Sequence, residues 1–142
     1  MSIKKVETIP VSKNIDRPSY RSMIRNDIQE AIDNRIDKFE FIGEYNYKYL
    51  QTYAKEEAQK WFRKFARSVE ISVIKDFKQK YNTDYCYIDI YQYQDKFIKI
   101  HKVTKEDRIH VYAEIDFDIL DNLSIILFND AATRFEMHLR NK

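Results

Sequence analysis

Glycine occurs once in this chain of 142 residues, at Gly43. Glycine lets backbone approach a phosphate closely and take positive φ, so its scarcity excludes the glycine-rich phosphate loop, the dinucleotide fingerprint and the glycine-containing nucleophile elbow. Most common nucleotide-dependent enzymes go with them. Cysteine is single too: Cys86 has no internal disulfide partner and no neighbouring thiols with which to hold zinc, and it reads as a small buried hydrophobe. The longest purely aliphatic and aromatic run is Ile125 to Phe128, far short of the ~20 residues a spanning helix needs. No apolar run follows the lysines near Met1, and a cytoplasmic location is expected.

What is plentiful is aromatic: 11 Tyr, 9 Phe and one Trp. Residues 1–142 suffice for a single domain with a core of its own, in which residues 1–15 form an extended arm or edge strand stopped by Pro10. Charge is uneven along the chain. Lys and Arg against Asp and Glu number 8 and 7 over residues 1–43, 9 and 6 over 44–84, and 8 and 10 over 85–142. The middle third is mildly basic, and no segment reaches the density of a dedicated nucleic-acid binder or an acidic DNA mimic.

Asp16, Pro18 and Ser19 supply helix-start chemistry, and Tyr20, Ile24, Ile28, Ala31, Ile32 and Ile36 recur at helical spacing, which predicts a helix over about 18–36. Lys38 to Ile42 alternates as a short strand closed by Gly43. A second helix begins near Asn46, its stripe running through Leu50, Ala54, Ala58, Trp61, Phe62, Phe65, Ala66 and Val69 to Val73 and Phe77. Unbroken to Lys80 it would be ~50 Å long, against a radius of gyration of ~15 Å for a compact domain of this size. The expectation is therefore either a break near Ser68, where Val69, Ile71 and Val73 also alternate, or a homodimer in which two such helices shield Trp61, Phe62 and Phe65. From Tyr85 on the period is two. Tyr85 to Tyr93, Lys96 to Val103 and Arg108 to Phe117 read as a three-stranded antiparallel meander, followed by a helix capped by Asp118 or Asp121.

If the aliphatic faces of those strands pack on the helices, the outer face of the sheet presents a ladder of tyrosines with Phe97, Lys99, His101, His110 and Tyr112. Tyr87, Tyr91, Tyr93, Phe97 and Tyr112 are then candidates for a protein interface, or a platform on which bases stack. Alternatively the arm or the long helix covers them as a third layer. On the second helix Lys60, Arg63, Lys64 and Arg67 lie opposite the apolar stripe and could follow a phosphate backbone, with Lys75, Lys78 and Lys80 continuing the charge. Glu56, Glu57, Glu70 and Asp76 dilute that face, at spacings that allow pairing within the helix. Glu114, Asp116 and Asp118 alternate on one face and are the residues that could hold Mg²⁺ or Mn²⁺ beside His101 or His110, as a hydrolytic nuclease would; strand ends also carry acids simply to meet water. The three histidines, His138 included, show no metal-ligand spacing, so no metal and no cofactor is expected.

The stretch Lys38-Phe39-Glu40-Phe41-Ile42-Gly43-Glu44-Tyr45-Asn46-Tyr47-Lys48-Tyr49-Leu50, with Tyr53-Ala54 one turn on, resembles small orphan accessory proteins of prophages and conjugative elements of low-GC Gram-positive bacteria. That resemblance implies an accessory protein that binds something of its host, such as a defence or nucleic-acid-processing complex. Together these readings predict an α+β fold, with helices packed on one face of an antiparallel sheet. They predict a protein that binds rather than catalyses: an inhibitor with a protein partner, with a nucleic-acid binder and a metal-dependent nuclease as alternatives.

Overall fold

The computed structural model describes residues 4–5, 17–41 and 47–142. In chain order it runs β1 (Lys4–Lys5), α1 (Arg17–Asp33), β2 (Lys38–Phe41), α2 (Tyr47–Tyr81), a 3-10 turn (Ile90–Tyr93), the single-turn α3 (Gln94–Phe97), β3 (Ile98–Lys105), β4 (Arg108–Ile115) and α4 (Phe117–Arg140). The stop at Pro10, the helix start at Asp16 and the turn at Gly43 lie outside the described residues.

The strands form one sheet in the order β1-β2-β4-β3, antiparallel except for β1, whose two residues pair in parallel with β2 at one edge. Alternation along the strands turns Phe39, Phe41, Ile98, Val111, Ala113 and Ile115 into the core, where Ile24, Ile28, Leu50, Ala54 and Phe62 of the helices meet them. The opposite face carries polar and charged side chains. This is an α+β fold with its helices on one face of an antiparallel sheet.

The meander is built differently from the expectation. Residues 85–89 form no strand, and β2 supplies the third antiparallel strand instead. Residues 82–93 form a strap laid along α2 and α4, irregular over 85–89 and closed by the 3-10 turn. Ile90 is buried and Ile88 and Tyr93 pack on the core, while Tyr85 and Tyr87 face α4 and Tyr91 is exposed beside Arg67 of α2. Period-two alternation reports an extended chain with one buried side; it does not require a hydrogen-bonded neighbour.

The expected break near Ser68 is also absent. α2 runs unbroken for 35 residues, ~52 Å, and Ser68 sits within it with its hydroxyl donating to the Phe65 carbonyl at 2.7 Å. The far half of its stripe is covered from within the chain. α4, 24 residues long, runs beside it in the same direction, with the Phe77 ring 5.6 Å from Phe128 and 5.7 Å from Phe135. In the near half Phe62 is buried, and Trp61 stacks between Phe65 (5.2 Å) and Phe97 (5.4 Å) while its indole N–H donates to Gln29 Oε1 at 2.7 Å. No second chain is needed to shield these rings.

With glycine so scarce, other residues make the left-handed turns: Arg35 (φ 53), Asn82 (φ 48), Glu106 (φ 54) and Asp107 (φ 61). Arg35 closes α1, where the Ile36 N–H donates to the Ala31 carbonyl at 2.8 Å, and its guanidinium is held by both Asp121 oxygens, at 3.1 and 2.7 Å, above the Phe117 ring. Glu106 and Asp107 form the two-residue turn between β3 and β4, the place where positive φ suits the strand twist.

Candidate functional site

α2 is flanked by α1, the sheet, α4 and the strap, and its remaining side faces water. Lys60, Lys64, Arg67, Ile71, Lys75 and Lys78 fall on that side, spaced 4, 3, 4, 4 and 3 residues apart, and all six are exposed. This spacing keeps a row on one face of a helix. Arg63 lies on the flank and is half-buried.

The acids that dilute this face in the sequence are turned elsewhere by the fold. Glu57 is 0% exposed, beneath Arg25 Nε (2.8 Å), Lys60 Nζ (3.2 Å) and Arg21 Nη1 (3.4 Å). Glu56 is taken by Arg21 of α1 at 2.8 Å. Glu70 lies close enough to the strap to act on the Cys86 thiol, whose pKa burial pushes up, with Lys78 drawing it down and Glu70 adding to the rise. Asp76 lines the cleft between α2 and α4 with Ser124 and Asn129. The exposed row carries five cations and no carboxylate.

The strap brings aromatics to the border of that row. Tyr91, 48% exposed, accepts a hydrogen bond from Arg67 Nη2 on its phenol oxygen at 3.3 Å. Tyr87, 50% exposed, lies under the Arg134 guanidinium at 4.7 Å. Asp89 caps the 3-10 turn by accepting the Tyr91 N–H at 3.1 Å, and Asp130 of α4 accepts from both Gln92 Nε2 (3.1 Å) and the Tyr93 hydroxyl. Burial, then the bond to Asp130, pushes the Tyr93 phenol up to about 12. Tyr93 is thus an anchor for the strap.

The five aromatic interface candidates do not form one surface. Tyr87, Tyr91 and Tyr93 gather on the strap, Phe97 is in the core, and Tyr112 is on the outer face of the sheet, stacked on His101 at 4.8 Å. The tyrosine ladder fails because its strand does not exist. Arg134 and Asp130 join the strap cluster through tertiary packing alone, and no sequence spacing announces them.

Glu114, Asp116 and Asp118 line one pocket with Asp37, Lys96 and Lys99, but they do not converge on a common point. β4 ends at Ile115, Asp116 Oδ1 caps α4 by accepting the N–H groups of Asp118 (3.0 Å) and Ile119 (3.3 Å), and Asp118 is already helical. Glu114 contacts His101 at 3.1 Å and His110 contacts Glu40 at 2.7 Å. Among the described residues no group of three or more His, Cys, Asp and Glu is placed to hold a metal ion. No described helix is long and apolar enough to cross a membrane. Comparison with protein-family models, curated proteins and solved structures finds no match to this chain.

Proposed function

We propose that this chain acts by binding, in the cytoplasm, and that the outer face of α2 with the adjoining strap is a surface for single-stranded nucleic acid. The acid-free row of Lys60, Lys64, Arg67, Lys75 and Lys78 carries this reading. Such a row, ~27 Å long from end to end, follows a phosphate backbone, and Tyr91 and Tyr87 offer faces on which unpaired bases stack. Lys60 is shared with Glu57, while the other four form no ion pair among the described residues and are the cations offered to phosphates.

Fluorescence anisotropy of a labelled oligothymidylate tests it. Contact with about four phosphates gives a log–log salt slope of about −3 on a single strand. The double variant Lys64→Glu/Arg67→Glu should weaken binding at least tenfold, and Tyr91→Ala should remove a stacking contribution of ~1–3 kcal/mol. Affinity that does not change with salt, or that survives the double variant, refutes the reading.

A protein partner at the same place is the second reading, favoured by the pairing of Tyr91 with Arg67 and Tyr87 with Arg134. Tyrosine and arginine dominate protein hot spots. An inhibitor carried by a mobile element, acting on a host defence or nucleic-acid-processing complex, would use this patch. Its mark is tight binding to such a complex that depends on Tyr87 and Tyr91 and is nearly independent of salt.

A further inference from the structure

β3 is the last strand of the sheet, and its second edge has no neighbour among the described strands. The pairing register decides which backbone groups that edge offers. Asp116 N–H donates to the Phe97 carbonyl at 2.8 Å, and Phe97 stands opposite Asp116 in the ladder that pairs Ile98 with Ile115. Bonding alternates along an antiparallel strand, so Phe97, Lys99, His101, Val103 and Lys105 turn their N–H and C=O groups toward β4. Ile98, Ile100, Lys102 and Thr104 turn theirs outward.

Beside this edge runs a groove of about 630 Å³ between β3 and the first turns of α2, lined by Gln51, Thr52, Lys55 and Gln59 on one side and Ile98 and Ile100 on the other. Gln94, also at its wall, has its side-chain oxygen buried with no donor among the described residues. An open strand edge next to a helix-walled groove is the geometry in which an extended peptide adds as a further strand, with alternate side chains dropping into the groove.

The charges select the peptide. Lys55 on the helix wall and Lys99, Lys102 and Lys105 along β3 form no ion pair among the described residues. The two acids of the groove are engaged, Glu56 by Arg21 (2.8 Å) and Asp95 by Gln59 (3.2 Å). Pairing of β3 with β3 of a second copy would set one lysine row against another, the device by which edges deter self-association. We infer that the outward edge of β3 and the β3–α2 groove bind an acidic, extended peptide segment of a partner protein by strand addition.

The probe is a fluorescein-labelled octapeptide alternating glutamate with valine, titrated into the full chain and followed by anisotropy. Binding is expected in the micromolar range, with at least tenfold loss when lysine replaces glutamate or when a central proline removes one peptide N–H. On the protein side, Lys102→Pro deletes an outward N–H without touching the bonds to β4, a position where an edge strand accepts proline. It should keep the far-UV circular dichroism of the parent and lose peptide binding tenfold. Should that variant fail to fold, Lys55→Glu/Lys105→Glu is the substitute, with the same expected loss.

The inference does not rest on the α2 row, and two controls separate them. Lys64→Glu/Arg67→Glu should leave peptide affinity unchanged, and Lys102→Pro should leave oligonucleotide affinity unchanged. No binding up to about 1 mM, equal binding of the lysine peptide, or a loss that follows the α2 row rather than β3 overturns the inference.

Discussion

Replacing Glu57 by glutamine keeps the shape of a buried side chain and removes its charge, which tests whether α1 and α2 are joined by charge as well as by packing. The carboxylate receives Arg25, Lys60 and Arg21 within 3.4 Å and has no exposed surface. Burial alone would push its pKa up, but the hydrogen bonds and charges of Arg25 and Lys60 outweigh that and hold it below the ordinary glutamate value. Breaking a buried pair costs ~3–5 kcal/mol because the abandoned partner stays dry. Here the abandoned cations are 33%, 55% and 57% exposed and can rehydrate. Allowing for that, Glu57→Gln should cost about 2 kcal/mol near neutral pH, or roughly 6–10 °C in Tm for a chain of this size.

The sign with pH follows from the lowered pKa. A carboxylate more acidic in the folded state stabilises the fold above its unfolded pKa, and that contribution disappears as pH falls through the folded value. Urea denaturation of both proteins should therefore show a gap near pH 7 that closes toward about pH 2, where both side chains are uncharged. A gap of the same size in acid would mean that the amide packs badly and charge is irrelevant. No gap at neutral pH would mean that the ion cluster does not hold the helices.

Three further outcomes are expected. Phe77→Ala should cost ~3–5 kcal/mol in urea denaturation, since the ring is fully buried among Phe128, Phe135 and Tyr81. Ser68→Pro should cost about 3 kcal/mol or more and lower helical circular dichroism, whereas a helix already broken there would tolerate it. Tyr93→Phe should flatten the fall in stability above about pH 10, because a phenol raised to about 12 in the folded state favours the protonated fold, an advantage lost as pH rises through that value; an unchanged alkaline slope would refute the Tyr93–Asp130 anchor.

Where the sequence misled, it did so for want of tertiary partners. Strands β2, β3 and β4 and helices α1, α2 and α4 were legible from period and punctuation, to within a few residues at their ends, but the continuity of α2 past Ser68 was not. The alternation of Cys86, Ile88 and Ile90 was legible too, but what it packs against was not, and helices took the place assumed for a strand. Asp116 rather than Asp118 caps α4 because β4 stops two residues earlier than its alternation does. The row from Lys60 to Lys78 was visible as spacing. Its freedom from acid was not, since Glu56, Glu57, Glu70 and Asp76 are neighbours of that row in sequence and leave it only when α1, the strap and α4 are in place.

The length of α2 and the charge of its outer face are then two results of one packing arrangement. A helix of ~52 Å exceeds what a sheet with strands of eight residues or fewer can cover, so its far half needs other cover, and α4 with the strap provides it. Each of these elements takes an apolar flank of α2 together with any acid on it: α1 takes Glu56 and Glu57, the strap takes Glu70, and the α4 cleft takes Asp76. The side that no described element covers is the side on which the chain placed Lys60, Lys64, Arg67, Lys75 and Lys78. Shielding a long stripe from within the chain therefore leaves the row from Lys60 to Lys78 uncovered among the described residues, and that row is cationic.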